Sequence, residues 1–220
     1  MTRGKFDPDF EQLPSVLPIF PLTGVLLLPR GQLPLNIFEP RFLAMTADAL
    51  KTDRLIGMIQ PQDGTGDAGD PPIYRTGCAG RMTAFSETDD GRYLITLTGV
   101  ARFDIARELP RDRLYRRVVP EWQPYRGDLE ESIAVIDRTR LLTALKPFFQ
   151  RHRIAAEWPA VEATPDQRLV TTIAMACPFA PSEKQALLEA RDAAERARLL
   201  TALVEMAAHG AADTGDTARH

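Results

Sequence analysis

A catalytic or metal centre in this chain would have to be built from three histidines, two cysteines and four serines, and their spacing opposes one. His152 sits in an Arg-His-Arg run, His209 and His220 lie near the end, and none is spaced with a cysteine as a zinc site requires. Cys78 and Cys177 are far apart without a CxxC pattern, which predicts buried thiols in a reducing compartment. None of Ser15, Ser86, Ser132 and Ser182 lies in a GxSxG elbow. Ser182 with Lys184 suggests a Ser–Lys pair, but Ser182-Glu183-Lys184-Gln185 also reads as a helix-capping sequence, and that role accounts for the serine. No GxxxxGK[ST] motif is present. The expectation is a protein with no catalytic residue, metal or cofactor.

Charge narrows the partners. Formal net charge is −3, which gives no global positive field for a nucleic-acid backbone or an anionic membrane. The acid pairs Asp89/Asp90 and Glu130/Glu131 fall at a turn and a helix start, where carboxylates serve structure. Residues 62–70 (QDGTGDAGD) have the glycine of a phosphate cradle but three aspartates and no cation, so they read as an exposed loop. The run Arg111-Asp112-Arg113-Leu114-Tyr115-Arg116-Arg117 mixes base and aromatic as RNA sites do. As a strand it would divide those charges between two faces. Arginine outnumbers lysine 23 to 4, a skew that the abundant Ala and Pro attribute to GC-rich coding.

The elements that must carry any site change character near residues 125–128. Before them, runs are short, rich in β-branched and aromatic residues, and punctuated by Gly and Pro. After them, apolar residues recur at helical spacing. The chain is therefore expected to be α+β, with a β-rich lobe over 13–125, a helical lobe over 126–208, and flexible termini at 1–12 and 209–220. Strands are predicted at 16–20, 25–28 and 55–60; many prolines suit an irregular barrel of edge strands. Pro40 should open a helix that shares Phe42, Met45 and Ala49 on one face. A hairpin over 81–98 turns at Asp90-Gly91, Gly99 resets the chain before a strand at 100–106, and 114–122 closes the lobe. Helices should begin near Asp128, at Thr164-Pro165 with Thr164 as cap, and at Ser182. A last helix should place Leu199, Leu203 and Met206 inward, with Arg191/Glu195 and Asp192/Arg196 as solvent-side pairs. The first twelve residues are polar, and the apolar run at 25–28 is too short to span a bilayer, so a cytoplasmic protein is expected.

These motifs line up with a known family. Leu17-Pro18-Ile19-Phe20-Pro21-Leu22, then Leu28-Pro29-Arg30-Gly31, then Leu33-Pro34-Leu35-Asn36-Ile37-Phe38-Glu39-Pro40-Arg41-Phe42 closely resembles the opening of the Lon protease N-terminal domain. Tyr74-Arg75-Thr76-Gly77-Cys78-Ala79-Gly80-Arg81, the Asp90-Gly91-Arg92 turn with Leu97-Thr98-Gly99-Val100-Ala101-Arg102-Phe103, and Lys184-Gln185-Ala186-Leu187-Leu188-Glu189 with Arg196, Leu199 and Leu200 follow in the family's order. The likeness runs from about Leu13 to Ala208. It implies a PUA-like pseudo-β-barrel followed by a helical bundle. Lon proteases continue into an ATPase module and a Ser–Lys peptidase domain; this chain ends before either, so the resemblance carries over nothing catalytic.

What the resemblance implies is a module that recognises unfolded or damaged polypeptides in protein quality control, as an adaptor or regulator beside a protease or chaperone, with self-association as a further expectation. Leu35, Ile37 and Phe38 are the candidate peptide-binding residues, although as apolar side chains they read more readily as barrel core. An RNA-binding protein acting through the PUA-like barrel is the alternative, and it rests on fold analogy. An enzyme working on a small molecule between the lobes is the third reading, and the residues above count against it.

Overall fold

The computed structural model describes residues 8–62, 71–130 and 135–209. From residue 63 on, the loop expected at 62–70 lies outside them, as do Ser132, Ile133 and the ends of both termini.

The fold is α+β. Six strands form one mixed sheet: β1 (Leu17–Pro21), β2 (Gln32–Ile37), β3 (Leu55–Ile59), β4 (Thr76–Glu87), β5 (Tyr93–Glu108) and β6 (Arg117–Glu121). The order is β2-β5-β4-β3-β1-β6, with β1 and β3 parallel and a further β5–β6 pairing that closes five strands into a barrel. One edge of β5 therefore takes β2 along residues 93–98 and β6 along 104–108. The far edge of β2 has no strand beside it among the described residues.

A bulge decides which way β5 faces. Ala79 pairs with Ala101 but Gly80 pairs with Gly99, so Val100 is the extra residue. Before it, Ile95 and Leu97 face the core shared with the helices; after it, Ala101 and Phe103 face the barrel interior with Leu17, Ile19 and Val118. Gly99 thus does not end a strand, as its place between two runs suggested. β5 passes through it unbroken for 16 residues, and the bulge absorbs the change of face.

α1 (Pro40–Leu50) opens on Pro40 and buries Phe42, Met45 and Ala49, as its spacing predicts. The remaining helices are α2 (Arg138–His152), α3 (Trp158–Ala163), α4 (Asp166–Ala176), α5 (Pro181–Glu189) and α6 (Ala193–His209). They pack Leu145, Phe148, Ile173, Leu187 and Leu200 against the outer face of the sheet in one continuous core.

Several expectations are corrected. Residues 25–28 form no strand; Leu26, Leu27 and Leu28 are buried in a loop held by left-handed backbone at Gly24 (φ 72°) and Arg30 (φ 65°). The strand is β2, next along. The hairpin turn uses three residues, with Gly91 alone at positive φ (79°) and Thr88 pairing with Arg92. Residues 123–129 form a 3-10 turn, and the long helix starts only at Arg138, where the Asp137 carboxylate caps Arg140 N at 3.0 Å. Residues 10–12, expected to be flexible, make a 3-10 turn with Arg126 stacked over Phe10. Thr164 closes α3, its hydroxyl donating to Ala160 O at 2.7 Å, and so does not cap α4. Ser182 lies inside α5; Ala180 is the cap and its N–H donates to the Glu183 carboxylate at 2.7 Å, because Pro181 takes the first helical position. In α6, Leu200 and Val204 face inward with Leu203, while Met206 is 61% exposed. Asp192 caps that helix through Glu195 N at 2.8 Å, which rotates Arg196 into the core and away from solvent.

Candidate functional site

A cleft of about 790 Å³ opens between the sheet and the helices. Three segments build most of it. The β1–β2 connection supplies Val25, Leu26 and Arg30; the first half of β2 supplies Leu33 and Pro34; α4 supplies the opposite wall. On α4, Arg168, Thr171, Thr172 and Met175 recur at helical spacing and face the cleft, while Leu169, Val170, Ile173 and Ala174 bury the other face. Apolar side chains thus meet a helix face that is polar at one end and thioether at the other.

Close approach of the walls depends on glycine. A Cβ on Gly31 would stand 2.2 Å from Met175 Sδ, and one on Gly99 would stand 2.0 Å from Leu28 O. Arg30 N donates to Gly99 O at 2.7 Å and Gly99 N to Gly31 O at 2.8 Å. The loop before β2 is therefore laced to β5 by backbone hydrogen bonds that a side chain at Gly99 would push apart.

Buried polar residues of α5 fix the cleft from behind. Lys184, 8% exposed, lines the cleft and donates through Nζ to Gly24 O at 2.7 Å. Burial pulls its pKa below the ordinary lysine range. Next to it, Gln60 donates to Gln185 Oε1 at 3.2 Å and to Pro181 O at 3.1 Å, and Gln185 donates to Thr76 O at 3.2 Å. Arg102, 3% exposed, donates to the Asp128 carboxylate and to the carbonyls of Leu188 and Ala190 that end α5. Arg196 donates to Leu187 O at 2.8 Å; burial first, and then the Arg102 charge, push its pKa down to about 10. These contacts hold the helices and sheet at a set separation.

The lining consists of ammonium, guanidinium, hydroxyl, amide and apolar groups, which bind. Cys177 has its thiol pushed up to about 12 by burial, so it is no thiolate near neutrality. Among the described residues no three His, Cys, Asp or Glu side chains converge to hold a metal ion. His152 packs against the Phe148 ring, with centroids 4.4 Å apart.

The three residues singled out from sequence separate. Ile37 is 1% exposed and belongs to the core, because β2 turns Leu33, Leu35 and Ile37 inward and Gln32, Pro34 and Asn36 outward. Leu35 is half-buried at the margin of that core, and Phe38, just past the strand, is 61% exposed with Arg92 beside its ring. Leu35 also borders a shallow depression with Phe85 and Leu94, two exposed apolar side chains. Sequence reasoning missed Lys184, Gln185 and Arg102 as organisers of the cleft. The signal was there: Lys184 and Gln185 interrupt the buried side of a helix, and Arg102 sits beside Phe103 in a buried strand. The basic run at 111–117 is no free patch: Arg113 pairs with Asp48, Arg116 with Glu108 and Arg117 with Asp112.

A family model for the ATP-dependent protease La (LON) substrate-binding domain matches residues 16–206. Lon protease 2 of Myxococcus xanthus is 27% identical over 198 residues, covering 88% of this chain and 24% of that protein. The Lon protease of Anaeromyxobacter dehalogenans is 26% identical over 198 residues, covering 88% and 23%. The chain thus spans about a quarter of the length of these relatives. A Lon N-terminal domain protein from Xanthomonas campestris superposes with a TM-score of 0.61 at 23% identity, covering 86% of this chain and 98% of that one. The N-terminal domain of a Mycobacterium avium complex Lon protease does so at 0.58 with 15% identity, covering 86% and 97%, and both likenesses are of fold.

Proposed function

This chain belongs to the LON substrate-binding domain family, and on that premise we propose that it is a non-catalytic polypeptide-recognition module that holds unfolded segments in the interlobe cleft. The observation that carries the reading is the cleft itself, about 790 Å³ of largely apolar space between the β1–β2 connection and α4. An unfolded chain offers apolar side chains that a native surface hides, and this space takes several at once. β2 borders the cleft through Leu33 and Pro34 and runs on past Leu35 to Ile37, with Phe38 just beyond its end. Leu35 and Phe38 would extend the contact along the open edge of the sheet, where an extended peptide can add main-chain hydrogen bonds. Ile37 would act from within the core, by shaping the strand.

Such a module delivers or regulates clients in protein quality control, beside a protease or chaperone. A shallow apolar contact of this size should bind in the micromolar range, roughly −8 kcal/mol at a dissociation constant of about 1 μM. The test is a titration of fluorescent denatured protein and of labelled RNA at low and high salt, with ATP hydrolysis and casein cleavage assayed alongside. Denatured protein should bind at both salt concentrations, with no turnover of either substrate. Tight, salt-sensitive RNA binding without affinity for the unfolded protein would overturn the reading.

A further inference from the structure

The cleft is apolar in its walls but one-sided in charge. Lys184, Arg168 and Arg30 line it, and no aspartate or glutamate does. Lys184 is the informative one. Its ammonium has three donors, the residue as a whole is 8% exposed, one donor is used on Gly24 O, and no carboxylate lies within ion-pair distance among the described residues. A buried cation without a counter-ion is costly, and an anion arriving in the cleft would relieve that cost. Arg168, on the α4 wall, is exposed, so the lining carries one buried and one solvent-facing cation.

We propose that the cleft recognises the carboxyl-terminal end of an unfolded polypeptide, with the last apolar side chains against Val25, Leu33 and Met175 and the free α-carboxylate held by Lys184 and Arg168. This deepens the peptide-recognition reading and rests on it. A chain terminus is the polypeptide feature that presents one compact negative charge directly beside apolar side chains. An internal acidic residue must carry chain onward in both directions past the buried ammonium. A nucleic acid would need a stripe of cations and rings for its bases to stack on, whereas no aromatic side chain lines the cleft. Burial lowers the Lys184 pKa, and a carboxylate bound beside it would oppose that shift.

The experiment compares two fluorescent apolar decapeptides of identical sequence, one ending in a free carboxylate and one in a carboxamide, by anisotropy on the full chain. The carboxylate form should bind about tenfold tighter, as expected for a hydrogen bond to a charged group. Lys184→Met should abolish the preference. Because that change also strands Gly24 O, Arg168→Gln, at an exposed position, should narrow the preference with an unchanged melting temperature. Equal binding of the two peptides to the unaltered protein, or a preference that survives both substitutions, overturns the proposal and leaves peptide recognition standing. Failure of both peptides and of denatured protein to bind removes the reading beneath it. Displacement of bound peptide by RNA at low salt overturns the choice of a polypeptide end as the ligand.

Discussion

Asp128 meets Arg102 side-on, its two carboxylate oxygens accepting from Nε at 2.8 Å and Nη2 at 2.9 Å while Oδ2 also accepts from Arg102 N at 3.0 Å. Through the same guanidinium, β5 reaches the last carbonyls of α5. One ion pair thereby couples the sheet, the 3-10 turn after β6 and the helical bundle.

Breaking this pair should be expensive. Arg102→Met leaves Asp128 and two α5 carbonyls without their donor in a buried setting, and should cost about 3–5 kcal/mol. Asp128→Asn should cost a comparable amount, because Arg102 and Arg196 then share the interior with no negative charge between them. Urea unfolding checks both: the midpoint should fall with little change in slope. Replacing both partners at once, Arg102→Met together with Asp128→Leu, should be less harmful than the sum of the two single changes.

Glycine substitutions should separate packing from binding. At Gly99 the obstacle is the Leu28 carbonyl, 2.0 Å from the new Cβ, and backbone cannot swing aside. Gly99→Ala should therefore cost roughly 1–3 kcal/mol or more by overpacking. At Gly31 the nearest obstacle is the tip of Met175, a flexible thioether. Gly31→Ala should lower stability less than Gly99→Ala, yet weaken peptide binding, because the displaced Met175 moves into the cleft. Thermal melts and the peptide titration together distinguish the two.

The fold was largely readable and the site was not, for a physical reason. Period-two burial in β5 and the helix-opening Pro40 are local signals, and they gave the α+β class and α1 directly. Family resemblance gave the peptide-binding expectation. What local pattern could not supply is which polar residue would be buried by a distant element. Arg102 alternates with Phe103 as a solvent-facing residue would, but the opposite face of that strand is covered by α5, 86 residues away in the chain. Arg196 sits at a spacing from Asp192 that reads as a surface pair until the Asp192 cap fixes the rotation of α6. Leu35, Ile37 and Phe38 share a segment but not an environment, since β2 ends at Ile37 and Phe38 leaves the ladder.

Neither cysteine should react in the native protein near neutrality. Burial pushes the Cys177 thiol up to about 12 and raises Cys78 further, with the Asp128 charge adding to the effect at Cys78. An aromatic disulfide reagent should label both thiols only across the urea transition, in step with loss of circular dichroism. Rapid labelling of one thiol without denaturant would contradict the burial of that residue.

The last prediction concerns pH and the cleft. Lys184 binds a carboxylate only while protonated, and burial sets its pKa below the ordinary 10.5. Affinity for the carboxylate-ended peptide should therefore begin to fall at a lower pH than an ordinary lysine would allow, while the carboxamide peptide stays flat. The groups facing Lys184 do not confuse the signal. Arg30 and Arg168 share the lining, and guanidinium groups keep their charge over this range; the Cys177 thiol stays neutral. Loss of fold is not the cause either. For a lysine whose folded pKa lies below its unfolded value, the unfolded chain binds more protons between the two, so this group makes stability rise with pH there. The buried thiols act oppositely, since unfolded cysteines ionise near 9.0 while the folded ones do not, which erodes stability only above that pH. Thermal melts taken at each pH keep that loss apart from the binding signal. Arg168→Gln should make the decline steeper, because Lys184 is then left to hold the carboxylate with less help. A decline in carboxylate affinity that comes only at the pH of an ordinary lysine, or not at all, would remove Lys184 from the contact.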